Sequence, residues 1–514
     1  MKVLLIAPPI MDYVNGECIP IAMDAHRECP PYGMYLLVSI LRGDGHEVVF
    51  ADLIADGTSC IESYRDDLDN CGLVGIGATS MSWPTARVVI EQVRAQREDV
   101  SIVLGGIHPT MFDRYILDVF PVNFIVRGEG EVALTELVHA LETHQEFAQV
   151  PNLTWRAANG EVVRNPVGSL IHKTALTSFP LPDYSEMPSD LYHGLSIESS
   201  RGCAFDCSFC STSYRRTWRG MAHDEFVDRL EAMLPHADRT MLGTVHIIDD
   251  EFSLNTKRAV KIADLLGARG LTPNLVFDSR ANDLVKDGFV ESIAPFTSQF
   301  LVGAECGYDE GLKRIGKGTT TDKLEAAAKL LKKNGLSDRA DFSFVLGLPW
   351  ESVKEVEKTI AFAIHLHAMY GVRILLQWYC QIPGSRLWDD DYKKGLITEA
   401  MYDDFGFFGN LFLFRSAVKL TPKEIYTVSD KVSAMLTAVR SVYNNVNMIE
   451  YAFPEPIARF YPRFLEAYQD TGLASLREVA RPQRDQVRRA SESTGRQVQL
   501  ESGIPLRHFE GVFR

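Results

Sequence analysis

The chain has 514 residues, 46% of them hydrophobic and 24% charged, with a formal net charge of −15 and a pI near 5.4. A single hydrophobic core stops growing at about 250–300 residues, so two to four domains are expected. The acidic balance argues against a non-specific nucleic-acid binder, and no run of about 18 apolar residues marks a transmembrane segment. The nine cysteines are odd in number and mostly scattered, and the apolar start is too short for a signal peptide, so a reducing, cytoplasmic location is expected.

From residue 1 to 145, short apolar runs alternate with amphipathic stretches. Strands are predicted over 2–9, 47–53, 73–79, 101–106 and 123–128, and helices over 34–43, 85–96 and 132–142. This alternation predicts an α/β domain with a doubly wound sheet of flavodoxin-like type, whose ligands sit at the carboxyl ends of the strands. The loops placed there are "SMSW" (80–83), "GGIHPT" (105–110) and "RGEGE" (127–131).

Residues 146–194 read as a hairpin turning at Asn159-Gly160, followed by a proline-rich linker. A second alternation fills 195–385, with strands predicted at 195–200, 244–250, 274–280, 299–306, 340–347 and 373–380. Six successive βα units make a partial barrel with its active centre at the strand carboxyl ends. From 386 to 514 the pattern is mostly helical, with an aromatic stretch at 401–414 and a basic tail containing Arg477, Arg481, Arg484, Arg488 and Arg489. The aromatics suit packing of this region onto the barrel, with an apolar substrate wall as the alternative. The arginines suit a solvated helix face or, alternatively, an anionic partner.

"RGCAFDCSFC" (201–210) follows the first barrel strand and brings together Cys203, Cys207 and Cys210. A structural zinc site is the plain alternative, but such sites usually combine two close ligand pairs, and no second pair lies nearby. Three thiolates on one loop instead suit three irons of a four-iron cluster, leaving the fourth open. This C-x3-C-x2-C run, with Phe209 before its last cysteine, resembles the signature of the radical S-adenosylmethionine (SAM) enzymes. The resemblance implies a [4Fe-4S] cluster on Cys203, Cys207 and Cys210, with SAM chelating the open iron. One electron then releases a 5'-deoxyadenosyl radical that removes hydrogen from unactivated carbon. It also implies an external one-electron donor of flavodoxin or ferredoxin type.

In that family the strand ends following the cysteines hold SAM, which places Asp250 and Glu251 on its amino group and Arg280 on its carboxylate. Glu305 is placed on the ribose hydroxyls or the amino group, and "FVLGLPWE" (344–351), with Gly347 and Pro349, resembles the adenine motif. Phe209 and Gln381 complete the implied set. Tyr379 and Cys380, at the end of the last strand, are placed at the substrate pocket, with Cys380 a small packing residue rather than a nucleophile.

The first domain lacks G-x-G-x-x-G and G-x-x-x-x-G-K-[ST] phosphate cradles. Its motifs "PPYGMYLLVSILRGDGHEV", "GGIHPT" and "RGEGE" resemble the cobalamin-binding domain preceding the barrel in one radical SAM subclass. The implied contacts are Tyr32, Ser80, Met81, Ser82, Trp83, Gly105, Gly106, His108, Pro109, Gly128, Glu129 and Gly130. Met81 and Trp83 face the lower side of cobalt or, equally, pack at a strand end. The base-off motif D-x-H-x-x-G is imperfect in "DAHREC" (24–29), where Cys29 replaces glycine, so His26 is not expected to ligate cobalt.

The subclass implies methyl transfer from SAM, through methylcobalamin, to an unactivated carbon of a small specialised metabolite. The alternative is ring contraction or oxidative cyclisation without methyl transfer. A methylthiotransferase would be expected to carry three more cluster cysteines in its first domain, where only Cys18 and Cys29 are plausible loop cysteines. A cluster-bearing regulatory protein with cobalamin as sensor ligand would not need a complete SAM site.

Overall fold

The computed structural model describes residues 1–14, 17–20, 29–286 and 288–403, with 419–421, 424–425, 428 and 448–449 beyond them. Five parallel strands, β1 (Lys2–Ala7), β2 (Glu47–Asp52), β3 (Leu73–Gly77), β4 (Ser101–Gly105) and β5 (Phe124–Val126), lie in the order β2-β1-β3-β4-β5. This is the expected flavodoxin-like order. The strands read as continuous apolar runs because both faces are covered. Alternate side chains of β1 serve opposite cores. Val3 and Leu5 meet Val38 and Leu41 of α1 (Tyr32–Gly43) and Leu137 of α3 (Glu131–Thr143). Leu4 and Ile6 share the other core with Val89, Ile90 and Val93 of α2 (Trp83–Gln96).

The predicted hairpin forms, turning at Asn159-Gly160 with Gly160 at φ +85°. Its strands, β6 (Leu153–Arg156) and β7 (Val162–Arg164), add to β5 antiparallel, so the first sheet continues past residue 145. The proline-rich segment then wraps onto the barrel, with Leu176, Tyr184 and Met187 buried in the barrel core. Asp52, at the end of β2, accepts hydrogen bonds from Tyr35 (2.9 Å) and from Tyr192 of the linker (2.6 Å).

The second sheet holds β8 (Gly194–Ile197), β9 (Thr244–Ile247), β10 (Asn274–Ser279), β11 (Thr297–Glu305), β12 (Ala340–Leu346) and β13 (Arg373–Trp378), all parallel and in chain order. A two-residue strand, Met448–Ile449, which the sequence pattern did not suggest, pairs with β13. Helices α4 (His223–Ala237), α5 (Thr256–Arg269), α6 (Thr321–Lys333) and α7 (Val353–Tyr370) cover the outside. The start of α7 is a capping box of Ser352 and Glu355, and its end is Gly371 in the left-handed region. At the floor of the barrel, Asp341 is fully buried and accepts from Arg373 Nε at 2.7 Å, a brace at the end opposite the chemistry.

Beyond the last barrel strand runs α8 (Arg386–Lys393). Trp388, Ile397 and Tyr402 pack not on the barrel but into the first domain's core beside α2. Most of the predicted aromatic stretch, the basic tail and His26 lie outside the described residues. No helix among the described residues is long and apolar enough to cross a membrane.

Candidate functional site

The cysteine loop leaves β8 through Ser199 and Ser200, whose backbone N–H and hydroxyl groups all donate to the buried carboxylate of Asp249 at 2.5–2.9 Å. Gly202 follows at φ +79°, where an added β-carbon would lie 1.9 Å from the Thr217 carbonyl oxygen, so only glycine fits. Gly202 N–H and the Thr212 hydroxyl both donate to Asp250. Between these braces, Ser208 N–H donates to Ile315 O (2.8 Å) and Leu387 N–H donates to Ser208 O (3.0 Å). Asp206 O accepts from Arg386 (2.7 Å). The loop is thus tied to β9, to the segment after β11 and to α8. Its three cysteines are free thiols, and burial pushes the thiols of Cys203 and Cys210 up. Thiols whose ionisation burial disfavours become thiolates only against a cationic partner, which suits a cluster.

The remaining strand ends converge on the same mouth. Arg280 is buried with its guanidinium 3.7 Å from the Phe205 ring centroid and Nη1 4.0 Å from Cys207 Sγ, and its Nη2 donates to Lys317 O. Its Nε is buried without a hydrogen-bond partner. An orphaned cationic donor beside the cysteines fits a bound carboxylate. Glu305 stands at φ +65°, a left-handed conformation rare for a side-chain-bearing residue, at an irregularity in the β11–β12 pairing. It is ion-paired with Lys317 at 2.7 Å, and a β-carbon at Gly303 would strike that pair. Glu251 is spent locally, accepting from Ser253 N–H (3.2 Å) and its hydroxyl (2.5 Å), and burial pushes its carboxyl up to about 7.

Glu351 organises the "FVLGLPWE" loop, accepting from Gly347 N–H (2.8 Å), Leu348 N–H (3.0 Å) and the Tyr308 hydroxyl (2.8 Å). Gly347 sits at φ +76° against the Trp378 ring, and Pro349 O accepts from Lys419 N–H (3.2 Å). Phe209 is half-buried against the barrel core.

Against the mouth lies a cavity of about 630 Å³ between the two sheets. The first domain supplies Pro8, Tyr32, Gly33, Gly75, Gly77, Ser82, Gly105, Gly106, Gly128, Glu129 and Gly130, among others. The barrel side supplies Ser196, Glu198, Arg201, Ser213, Tyr214 and Ile248. A β-carbon at Gly33 would meet nothing within 4 Å, and one at Gly105 only the Val126 carbonyl oxygen at 3.9 Å. The buried Tyr32 hydroxyl has no hydrogen-bond partner. A large cradle of bare backbone with one unused polar atom fits a bulky corrin.

Several expected contacts belong elsewhere. Trp83 is fully buried, stacks on His108 (centroids 4.6 Å apart, planes at 24°) and donates to Asp403 at 2.8 Å. His108, held neutral by burial, pairs with the Ser80 hydroxyl at 3.1 Å. Ser80, Trp83, His108 and Pro109 are therefore packing beneath the strand ends rather than cavity wall, because the chain after β13 returns to cover them. Met81 is half-buried and also off the wall.

Glu129 reaches the cavity, but its carboxylate clamps Arg219 (2.8 Å), Arg201 (3.1 Å) and Ile171 N–H (2.8 Å) across the domain boundary. Gln381 is buried, its side chain donating to Asp391 and its carbonyl oxygen accepting from the Tyr402 hydroxyl. Tyr379 is buried with an unpartnered hydroxyl, and Cys380 is half-buried against the first domain's core, so neither is an open pocket residue.

Sequence reasoning passed over Asp249, Lys317 and the carboxylate of Glu351, which touch the loops rather than the ligand space. It also passed over Asp278, whose accessible surface alternates with buried Phe277 and Ser279 along β10. Asp278 is solvent-accessible by surface area yet deep among protein atoms. These agree if its exposed surface faces the barrel interior, where loss of bulk solvent pushes the carboxyl up to about 7.

A family model of the radical SAM superfamily matches residues 197–363, and one of the B12 binding domain matches residues 20–138. An uncharacterized methyltransferase of Pyrococcus horikoshii is 31% identical over 416 residues, 77% of this chain and 84% of that relative. The anaerobic magnesium-protoporphyrin IX monomethyl ester cyclase of Rubrivivax gelatinosus is 27% identical over 71% of this chain and 65% of its own length. Among solved structures, the radical SAM methyltransferase TsrM from Kitasatospora setae, with cobalamin and [4Fe-4S] cluster bound, superposes with a TM-score of 0.60 at 19% identity. That match covers 76% of this chain and 75% of that one.

Proposed function

The chain belongs to the radical SAM superfamily, in the branch that carries a B12-binding domain, and from that premise we propose that it is a C-methyltransferase acting on a small molecule. It transfers a methyl group from SAM, by way of cobalamin, to an unactivated carbon. When bound, the cluster with SAM supplies a hydrogen-abstracting radical, and cobalamin supplies a transferable methyl group.

One observation carries the reading: Ser213 and Tyr214, three and four residues after Cys210, line the cavity, so one short segment borders both cofactor spaces. The substrate carbon then sits between them. In this reading Cys203, Cys207 and Cys210 hold the cluster, and Arg280 offers its free Nε to the SAM carboxylate. Asp250 faces the amino group while bracing Gly202. Glu305, fixed by Lys317, takes the ribose hydroxyls, and the loop that Glu351 pins at Gly347 presents backbone to adenine. Tyr32, Gly105, Gly106, Gly128 and Gly130 frame the corrin. An external flavodoxin- or ferredoxin-type protein supplies the electron.

The test is anaerobic turnover of the reconstituted enzyme with methyl-deuterated SAM and a substrate panel, read by mass spectrometry. Deuterated methyl on product, with 5'-deoxyadenosine and S-adenosylhomocysteine both formed, supports methyl transfer. A product formed with 5'-deoxyadenosine but without added methyl favours the second reading, cyclisation, which the cyclase relative motivates.

A further inference from the structure

Tyr214 belongs to the cysteine loop and to the cavity at once. Its carbonyl oxygen accepts from Cys203 N–H at 3.2 Å and from the Thr217 hydroxyl at 2.9 Å, and Arg215 beside it bridges to Cys203. Its side chain lines the cavity from the barrel side. There the hydroxyl stands against the backbone of the "RGEGE" loop, where a β-carbon on Gly128 would lie 3.1 Å from it.

The ring is fixed while the hydroxyl is unused. Arg219 lies over the ring, 5.1 Å from its centroid, and is itself held by Glu129 (2.8 Å) and Ile171 O (2.7 Å). Among the described residues none hydrogen-bonds the Tyr214 hydroxyl. The nearest candidates are taken: Gly128 N–H donates to Thr110 Oγ1 at 2.9 Å, and Glu129 and Glu131 pair with Arg219 and Arg201. Burial, reinforced by the charges of Glu129 and Glu131, pushes the ionisation of the phenol up, so it remains a donor. A tyrosine hydroxyl in such a place ordinarily finds a partner. A corrin supplies one, because its rim carries carboxamide side chains whose oxygens accept hydrogen bonds.

We propose that Tyr214 anchors the corrin to the cysteine loop, its hydroxyl donating to a carboxamide oxygen on the corrin rim while its backbone carbonyl holds Cys203. The inference rests on the corrin occupying this cavity. The first domain frames the ring with bare backbone, which gives room and no direction; Tyr214 adds a directed bond from the barrel side. A single residue then ties the position of one cofactor to the loop that carries the other.

The experiment uses the full chain with its cluster reconstituted. Binding of hydroxocobalamin to wild type and Tyr214→Phe is measured by anaerobic equilibrium dialysis, and again with aquocobinamide, which keeps the ring carboxamides and lacks the nucleotide tail. Phenylalanine keeps the ring under Arg219 and the carbonyl on Cys203. Iron per chain, melting temperature and 5'-deoxyadenosine formed from SAM with dithionite should therefore match wild type. Both corrins are expected to bind about fivefold more weakly, as the loss of one hydrogen bond implies. Equal affinity in wild type and Tyr214→Phe overturns the proposal. So does a loss confined to hydroxocobalamin, which would put the hydroxyl on the nucleotide tail, or a loss accompanied by falling iron, which would make it a support of the loop. If Gly105→Leu also binds both corrins as wild type does, the placement of the corrin has failed and the proposal falls with it. Binding is read without turnover, so the result is independent of whether a methyl group is transferred.

Discussion

The cysteine loop and the cavity beside it are built on opposite principles. The loop is held from several directions by carboxylates, carbonyls and arginines, with Asp249 alone accepting four hydrogen bonds. The cavity is walled by glycine backbone and apolar side chains, and its Tyr32 hydroxyl is left unpaired. Small charged groups need donors and acceptors fixed in advance, because misplacing one leaves a buried charge unpaired. A bulky ring needs room, and bare backbone supplies it. Substitutions should therefore damage the two regions differently.

The sharpest break is Gly202→Ala. The left-handed conformation alone costs an alanine about 1–2 kcal/mol, and the Thr217 carbonyl at 1.9 Å from the new carbon forces the loop to shift as well. Iron per chain is expected to fall to a small fraction of wild type, with 5'-deoxyadenosine formation abolished and cobalamin retained. Wild-type iron content in this variant refutes the role given to the loop geometry.

Gly105→Leu does the converse. Its first added carbon meets only a carbonyl oxygen at 3.9 Å, so the fold accepts it while the rest of the side chain enters the cavity. Cobalamin affinity should fall at least about tenfold, a loss of 1.4 kcal/mol, with iron content and 5'-deoxyadenosine formation unchanged. Joint loss of both cofactors contradicts the separation of the two regions.

How far each region was legible in the sequence follows the same division. That Cys203, Cys207 and Cys210 share one loop at the mouth of the barrel was legible because their spacing is local. The five-strand order and the barrel were legible because apolar runs alternated with helical periods. Glycines 105, 106, 128 and 130 were legible because bare backbone in a strand-end loop has few other uses. The braces were not: Asp249 acts on residues 49 and 50 positions away, and Lys317 reaches Arg280 across 37. Trp83 and His108 were misplaced for a related reason. Their covering residues, Tyr402 and Asp403, lie some 300 positions later in the chain, and no local pattern announces that return.

The polar side has a signature in pH. Glu351 is fully buried, and desolvation outweighs its three hydrogen bonds to hold the carboxyl at about 7, against 4.5 ordinarily. An acid with a raised folded-state pKa favours the fold fully below about 4.5. That contribution is lost as pH rises towards 7, on the order of 3 kcal/mol in all. Glutamine at this position accepts both backbone N–H groups and donates to Tyr308, so Glu351→Gln removes the slope. Melting of the two proteins from pH 5 to pH 8 should show the variant gaining stability relative to wild type as pH rises. A constant difference means that Glu351 is ionised throughout.

The smallest effect tests the boundary between the two regions. Trp83→Phe keeps an aromatic ring against His108 and loses only the hydrogen bond to Asp403, which also accepts from Tyr115. The cost is about 1 kcal/mol, visible as a modest drop in melting temperature. Because Trp83 packs beneath the strand ends and does not line the cavity, cobalamin per chain should equal that of wild type, in direct contrast to Gly105→Leu. If cobalamin is lost instead, the indole acts on the corrin, and the cavity extends through the "SMSW" loop to the layer that Tyr402 and Asp403 cover.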